Sequence, residues 1–146
     1  MEKALHLTIL TQERELLTKT VTSLTVVTVQ GEITVLPGHI PLFTKLADGE
    51  LVYRVHENGK DETGSFAVSG GFLDVGPEGK VSVLADHAVR SEDISEARAE
   101  EARKAAEEAM KNRQSERDFK IAEASLRRAL TELKIAEKRR GSGSHL

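Results

Sequence analysis

The residues best suited to chemistry in this 146-residue chain are five histidines, two pairs of adjacent glutamates, an Asp86-His87 pair and Ser69 ahead of Gly70-Gly71. Their spacing argues against using them for catalysis. His6, His39, His56, His87 and His145 are scattered, and no His-Glu-x-x-His pattern places two ligands on one helix face. There is no cysteine, so thiolate nucleophiles, thiolate metal sites and disulfides are excluded. Ser69 lacks the strand-to-helix context of a nucleophile elbow. Glu100-Glu101 and Glu107-Glu108 read as the solvated face of a helix. Neither Gly-x-x-x-x-Gly-Lys-Ser/Thr nor Gly-x-Gly-x-x-Gly occurs, so no glycine-rich loop cradles phosphate. The expectation is a protein with no catalytic residues, no metal and no obligate cofactor, one that works by contact.

The best contact candidate is Leu36-Pro37-Gly38-His39-Ile40-Pro41-Leu42. The alternation in Glu32-Ile33-Thr34-Val35 predicts a strand buried on one face, and Pro37-Gly38 ends it. Pro37 presets φ and offers no N–H, Gly38 accepts positive φ, and Pro41 holds Ile40 extended. The product is a stiff corner holding His39 between two prolines. A rigid loop on a β scaffold is well placed to touch a partner.

Composition divides the elements that must position this corner. Up to about Asp93 the chain is rich in Val, Thr, Leu and Gly; beyond it come Ala, Glu, Lys and Arg, with no Pro, and no Gly before Gly141. This is a β block followed by an α block. Strands are expected at 5–9, 15–19, 21–29, 31–36, 51–55, 65–69, 72–75 and 80–84, with a type I′ hairpin turn at Asn58-Gly59. Short strands without intervening helices point to a sandwich or flattened barrel. Two helices follow, one from Ser91, Asp93 or Ser95 to about Met110 or Asn112, the other capped by Ser115 and running to Lys138. The short connector folds them into an antiparallel hairpin. The expected seam is Ile94, Ala97 or Arg98, Ala102, Ala105, Ala106 and Ala109 against Phe119, Ala122, Leu126, Ala129, Leu130 and Leu133. Mostly alanine, it should pack closely but weakly, so the hairpin is expected to open. Gly141 to Leu146 reads as a flexible tail or linker. The net charge of −3 and the lack of Trp argue against nucleic acid. No long apolar run predicts a membrane span, and the N-terminal residues lack the pattern of a signal peptide.

The segments Gly31-Glu32-Ile33, Leu36 through Leu42, Ser69-Gly70-Gly71-Phe72-Leu73-Asp74-Val75, Val83 through Ala88 and Asp93 through Ala99 occur in the order and context found in one family. With them the chain resembles the epsilon subunit of the rotary F-type ATP synthase from about Leu5 to Lys138. The resemblance implies a ten-stranded β-sandwich over residues 1–90 and a two-helix regulatory hairpin over 91–140, with 141–146 left as tail. It implies a peripheral place in the central stalk at the cytoplasmic face of the cell membrane. The sandwich would bind the gamma subunit and the c-ring, with Glu32, Gly38 and His39 as ring contacts.

The resemblance also implies regulation. The helices would lie folded or extend along gamma into the catalytic head of alpha and beta subunits, restraining hydrolysis. Arg127, Arg128, Lys134 and Lys138 are the expected inhibitory contacts. An alternative is a nucleotide-sensing protein. Relatives that bind ATP use Ile/Leu-Asp-x-x-Arg-Ala, which here reads Ile94-Ser95-Glu96-Ala97-Arg98-Ala99, and Arg128 matches a phosphate-contacting arginine. Two other arginine positions of that pattern are Ala105 and Glu132, so ATP is expected to bind weakly or not at all.

Overall fold

The structure, a computed structural model, describes residues 4–143, with side chains to Gly141. Eight strands precede two helices: β1 (Leu5–Leu10), β2 (Glu15–Val21), β3 (Ser23–Thr28), β4 (Gly31–Val35), β5 (Leu42–Lys45), β6 (Gly49–Glu57), β7 (Lys60–Val75), β8 (Lys80–Arg90), α1 (Glu96–Lys111) and α2 (Glu116–Gly143). The chain forms two compact units that divide between Val89 and Arg90.

Strands pair in the order β2-β1-β8-β7-β6-β3-β4, with β5 also on β7. The β1–β2, β3–β4, β3–β6, β5–β7 and β6–β7 pairings are antiparallel, whereas β1 and β8 run parallel from His6↔Lys80 to Leu10↔Leu84. Leu5, Leu7, Ile9, Leu24, Leu51, Phe66, Leu73 and Val83 meet in one buried cluster. They come from opposite ends of the strand order, so the sheet folds over on itself and closes a sandwich around them.

Ten strands were expected and eight form among the described residues. One cause is β7, which crosses what the sequence reads as two strands. It pairs with β6 from Lys60 to Val68 and with β5 from Phe72 to Val75, both ladders sharing one register, and Gly70 and Gly71 carry the chain between them. Gly71 has φ +122°, and a Cβ there would run into the Leu84 carbonyl oxygen and lie 2.8 Å from Ala85 Cα. The bend thus brings two backbones closer than any side chain permits. The expected strand at 21–29 is instead divided. Thr22 is a bend whose N–H reaches the Arg54 carbonyl at 2.7 Å, so Val21 ends β2 and Ser23 begins β3. Strand β5 is additional to the expected set. At the β6–β7 tip, Asn58 and Gly59 both have positive φ, as a type I′ turn requires.

The second unit starts with a 3₁₀ turn at Ser91–Asp93. Ser95 then caps α1, its Oγ accepting from the Arg98 N–H at 3.3 Å, and Ser115 caps α2 by accepting from the Asp118 N–H at 3.1 Å. Arg103 joins Glu107 at 2.6 Å and also grips Glu100, pairs one turn apart that support α1. The seam differs from expectation on α1. Ala99 and Ala106 are buried with Ile94, whereas Ala97, Ala102, Ala105 and Ala109 face solvent. With alanine on several faces, hydrophobic periodicity cannot select one. On α2 the buried residues are Ala122, Ala129, Ile135 and Ala136, while Leu130 is exposed. The helix continues past Lys138 through Gly141 to Gly143, beyond the expected start of a flexible tail; Ser144 to Leu146, and with them His145, lie outside the described residues.

Candidate functional site

The proline corner is a type II turn. The His39 N–H donates to the Leu36 carbonyl at 3.0 Å across Pro37 and Gly38, and Gly38 has φ +90°. Proline at the first central position and glycine at the second are what this turn demands. The half-buried His39 ring turns onto its own loop, with Nδ1 2.6 Å from the Ile40 carbonyl oxygen. As an N–H donor there it braces the corner. Glu32 is exposed on β4, opposite Val27, and Gly38 is exposed at the tip of the turn. Glu32 thus stands exposed on the strand that leads into the braced corner.

Beside the corner lies an apolar surface that the sequence reading did not single out. Ile40 is 75% and Phe43 63% exposed. Phe43 stacks on Phe72 of the adjacent strand, with ring centres 5.4 Å apart and planes 13° from parallel. Leu84 is also exposed, on the strand whose backbone Gly71 approaches. The signal was present: Phe72 precedes Leu73 and Val75 at the opposite parity, so one of the two sets had to face outward. Exposed stacked aromatics mark a contact surface more often than a lone exposed leucine does.

The helical candidates divide into two groups. Arg127, Lys134 and Lys138 are exposed, and their spacing of seven and eleven residues places them on one face of α2. Arg127 also pairs with Glu123 at 3.6 Å. Arg128 lies about a quarter-turn away and is half-buried, and its Nε is buried without a hydrogen-bond partner. Glu132 follows one turn later. Burial pushes its carboxyl above the usual carboxylate range, and the Arg128 charge offsets part of that shift. On α1, Ile94 and Ala99 are buried and Arg98 is exposed, while Ser95, at the position of the pattern's aspartate, is spent on capping the helix. No group of three or more metal-capable side chains gathers among the described residues. No helix there is long and apolar enough to cross a membrane.

Comparison with known proteins bears on both units. The family model described as the beta-sandwich domain of the ATP synthase Delta/Epsilon chain matches residues 4–91, and that of its long alpha-helix domain matches residues 92–137. The ATP synthase epsilon chain of Herpetosiphon aurantiacus is 44% identical over 136 residues, which is 93% of this chain and 96% of that one. That of Dehalococcoides mccartyi is 45% identical over 137 residues, covering 93% and 94%. A chain in the Euglena gracilis mitochondrial ATP synthase structure containing OSCP, F1 and the c-ring superposes with a TM-score of 0.68 at 28% identity, covering 87% of this chain and 78% of that chain. A chain in the central stalk and c-ring structure from Tetrahymena thermophila shares the fold, with a TM-score of 0.60 at 13% identity and coverage of 90% and 96%.

Proposed function

The chain belongs to the ATP synthase delta/epsilon chain family, and from that premise we propose that it is the epsilon subunit of a rotary F-type ATP synthase. It is a non-catalytic part of the central stalk, peripheral at the cytoplasmic face of the membrane. The observation that carries the reading is the pairing of a braced corner with an exposed stacked aromatic surface on one rigid sandwich. The corner, through Glu32, Gly38 and His39, bears on the polar loops of the c-ring. The surface of Phe43, Phe72 and Leu84 packs against gamma, where burial of large apolar side chains supplies affinity. A turn preset by Pro37 and braced by His39 deforms little under load, as torque transfer requires.

The hairpin restrains hydrolysis when it opens and extends beside gamma. Arg127, Lys134 and Lys138 then meet acidic surfaces of the alpha and beta subunits, and Arg128 leaves its half-buried position to join them. Two tests apply. Phe72→Asp should abolish co-purification with gamma while the chain stays folded. Reversal of charge at Arg127, Lys134 and Lys138 should raise hydrolysis by the reconstituted complex; unchanged hydrolysis would count against the inhibitory role.

The unpaired Nε of Arg128 favours a second reading, a nucleotide sensor in which Ile94, Arg98, Ala99 and Arg128 hold ATP on the closed hairpin. Glu132 opposes it, because a carboxylate beside Arg128 repels phosphate. Titration calorimetry with ATP decides between them: a micromolar constant establishes the sensor, and no heat of binding leaves the mechanical role.

A further inference from the structure

The last turns of α2 return to the segment that precedes α1. The Arg139 guanidinium donates Nη1–H to the Ser91 carbonyl and Nη2–H to the Ile94 carbonyl, the latter at 3.4 Å. Arg140 pairs with Glu96 at 2.9 Å. Ser91 and Ile94 are both buried, and the Ser91 carbonyl also accepts from the Ile94 N–H at 3.3 Å. One planar cation therefore grips two carbonyls at the end of the 3₁₀ turn, where the local backbone leaves acceptor capacity open. At the other end of the hairpin the connector joins the helices covalently, and Arg113 lies 4.4 Å over the Phe119 ring. The alanine seam runs between these ends. The free end is thus secured by arginines.

We propose that Arg139 is a clasp that sets the ratio of closed to open hairpin, with the Arg140–Glu96 pair as a weaker second contact. The idea rests on the reading of the hairpin as mobile. Its consequence is a coupling: the docked end of α2 reinforces the turn at residues 91–94, so release of α2 also loosens the segment leading from β8 to α1. Arg is suited to this and Lys is not, because the guanidinium fork reaches two acceptors at once.

Amide hydrogen exchange on the full-length chain tests the clasp. With Arg139→Ala, the Ile94 amide and the amides of residues 129–136 should exchange about tenfold faster, the scale of a charge-assisted hydrogen bond at a partly exposed site. Arg140→Ala should accelerate them by less than about fivefold. Arg139→Lys should restore only part of the protection. Exchange within twofold of the parent in Arg139→Ala overturns the proposal, and so does full rescue by lysine, which would assign the effect to charge alone. If Arg139→Ala speeds exchange but leaves hydrolysis by the reconstituted complex unchanged, the clasp stands and the inhibitory reading falls.

Discussion

Phe66, Leu73, Val83 and the other buried residues of the sandwich are large and mostly branched, and they interlock in one cluster; the hairpin buries Ala99, Ala106, Ala122, Ala129 and Ala136 with Ile94 and Ile135. A Leu, Val or Phe contributes about 1.5–3 kcal/mol on burial, and an alanine methyl about 0.8 kcal/mol. The first unit therefore has a wide margin against opening and the second a narrow one. The same contrast appears in the polar contacts. Thr28 is buried and fixes its turn with a 2.7 Å bond to the Gly31 carbonyl, while the hairpin relies on arginines and glutamates at its surface. The two kinds of core thus give one unit that resists deformation and one that is easier to open.

The contrast is open to direct attack. Phe66→Ala should cost the sandwich about 3–5 kcal/mol in urea unfolding, since it empties the centre of a close-packed core. A loss below about 1 kcal/mol would erase the distinction between the units. Ala129→Leu should cost the hairpin about 1–3 kcal/mol by wedging the helices apart, read as a lower melting temperature of the helical circular dichroism signal. If the melt instead rises, the seam has room and is looser than its geometry indicates. Ser95→Ala should remove about 1 kcal/mol by uncapping α1, seen as faster amide exchange confined to its first turn. Glu132→Gln should have the smallest effect, under about 0.5 kcal/mol after solvent screening, and its sign depends on pH. The parent carboxyl holds its proton to a higher pH in the folded hairpin than the ordinary value of 4.5. The parent is therefore most stable below that value and loses stability as pH rises through the raised pKa. The Gln variant should show a flat profile across that window and be slightly more stable than the parent at neutral pH.

What the sequence revealed depended on how many backbone solutions each residue type allows. Asn58-Gly59 and Pro37-Gly38 admit few conformations, and both turns form as read. Ser115 caps α2 because a short hydroxyl side chain ahead of a helix has a donor waiting for it. The strand β5 was missed because Leu42-Phe43-Thr44-Lys45 is short and carries its largest side chain outward. Gly70-Gly71 reads as a break between strands, and only the approach of the Leu84–Ala85 backbone shows it to be a bend within one. The seam of α1 was misplaced because alanines at 97, 99, 102, 105, 106 and 109 carry no directional signal. Arg139 escaped notice for a different reason: its acceptors are backbone carbonyls, and every residue has one.

The parallel pairing of β1 with β8 has a consequence for how the chain is made. His6 pairs with Thr20 of β2 at once, but its partner on the other side is Lys80, so the sheet order is incomplete until nearly the whole first unit has left the ribosome. Until then Leu7 and Ile9 have no β8 beside them, and the β1–β2 hairpin exposes one edge to any passing strand. The helices that follow close through a connector of a few residues and need no such wait. During synthesis, then, the unit with the bulkier core stays unfinished longest, and the alanine-seamed hairpin is the quickest to form.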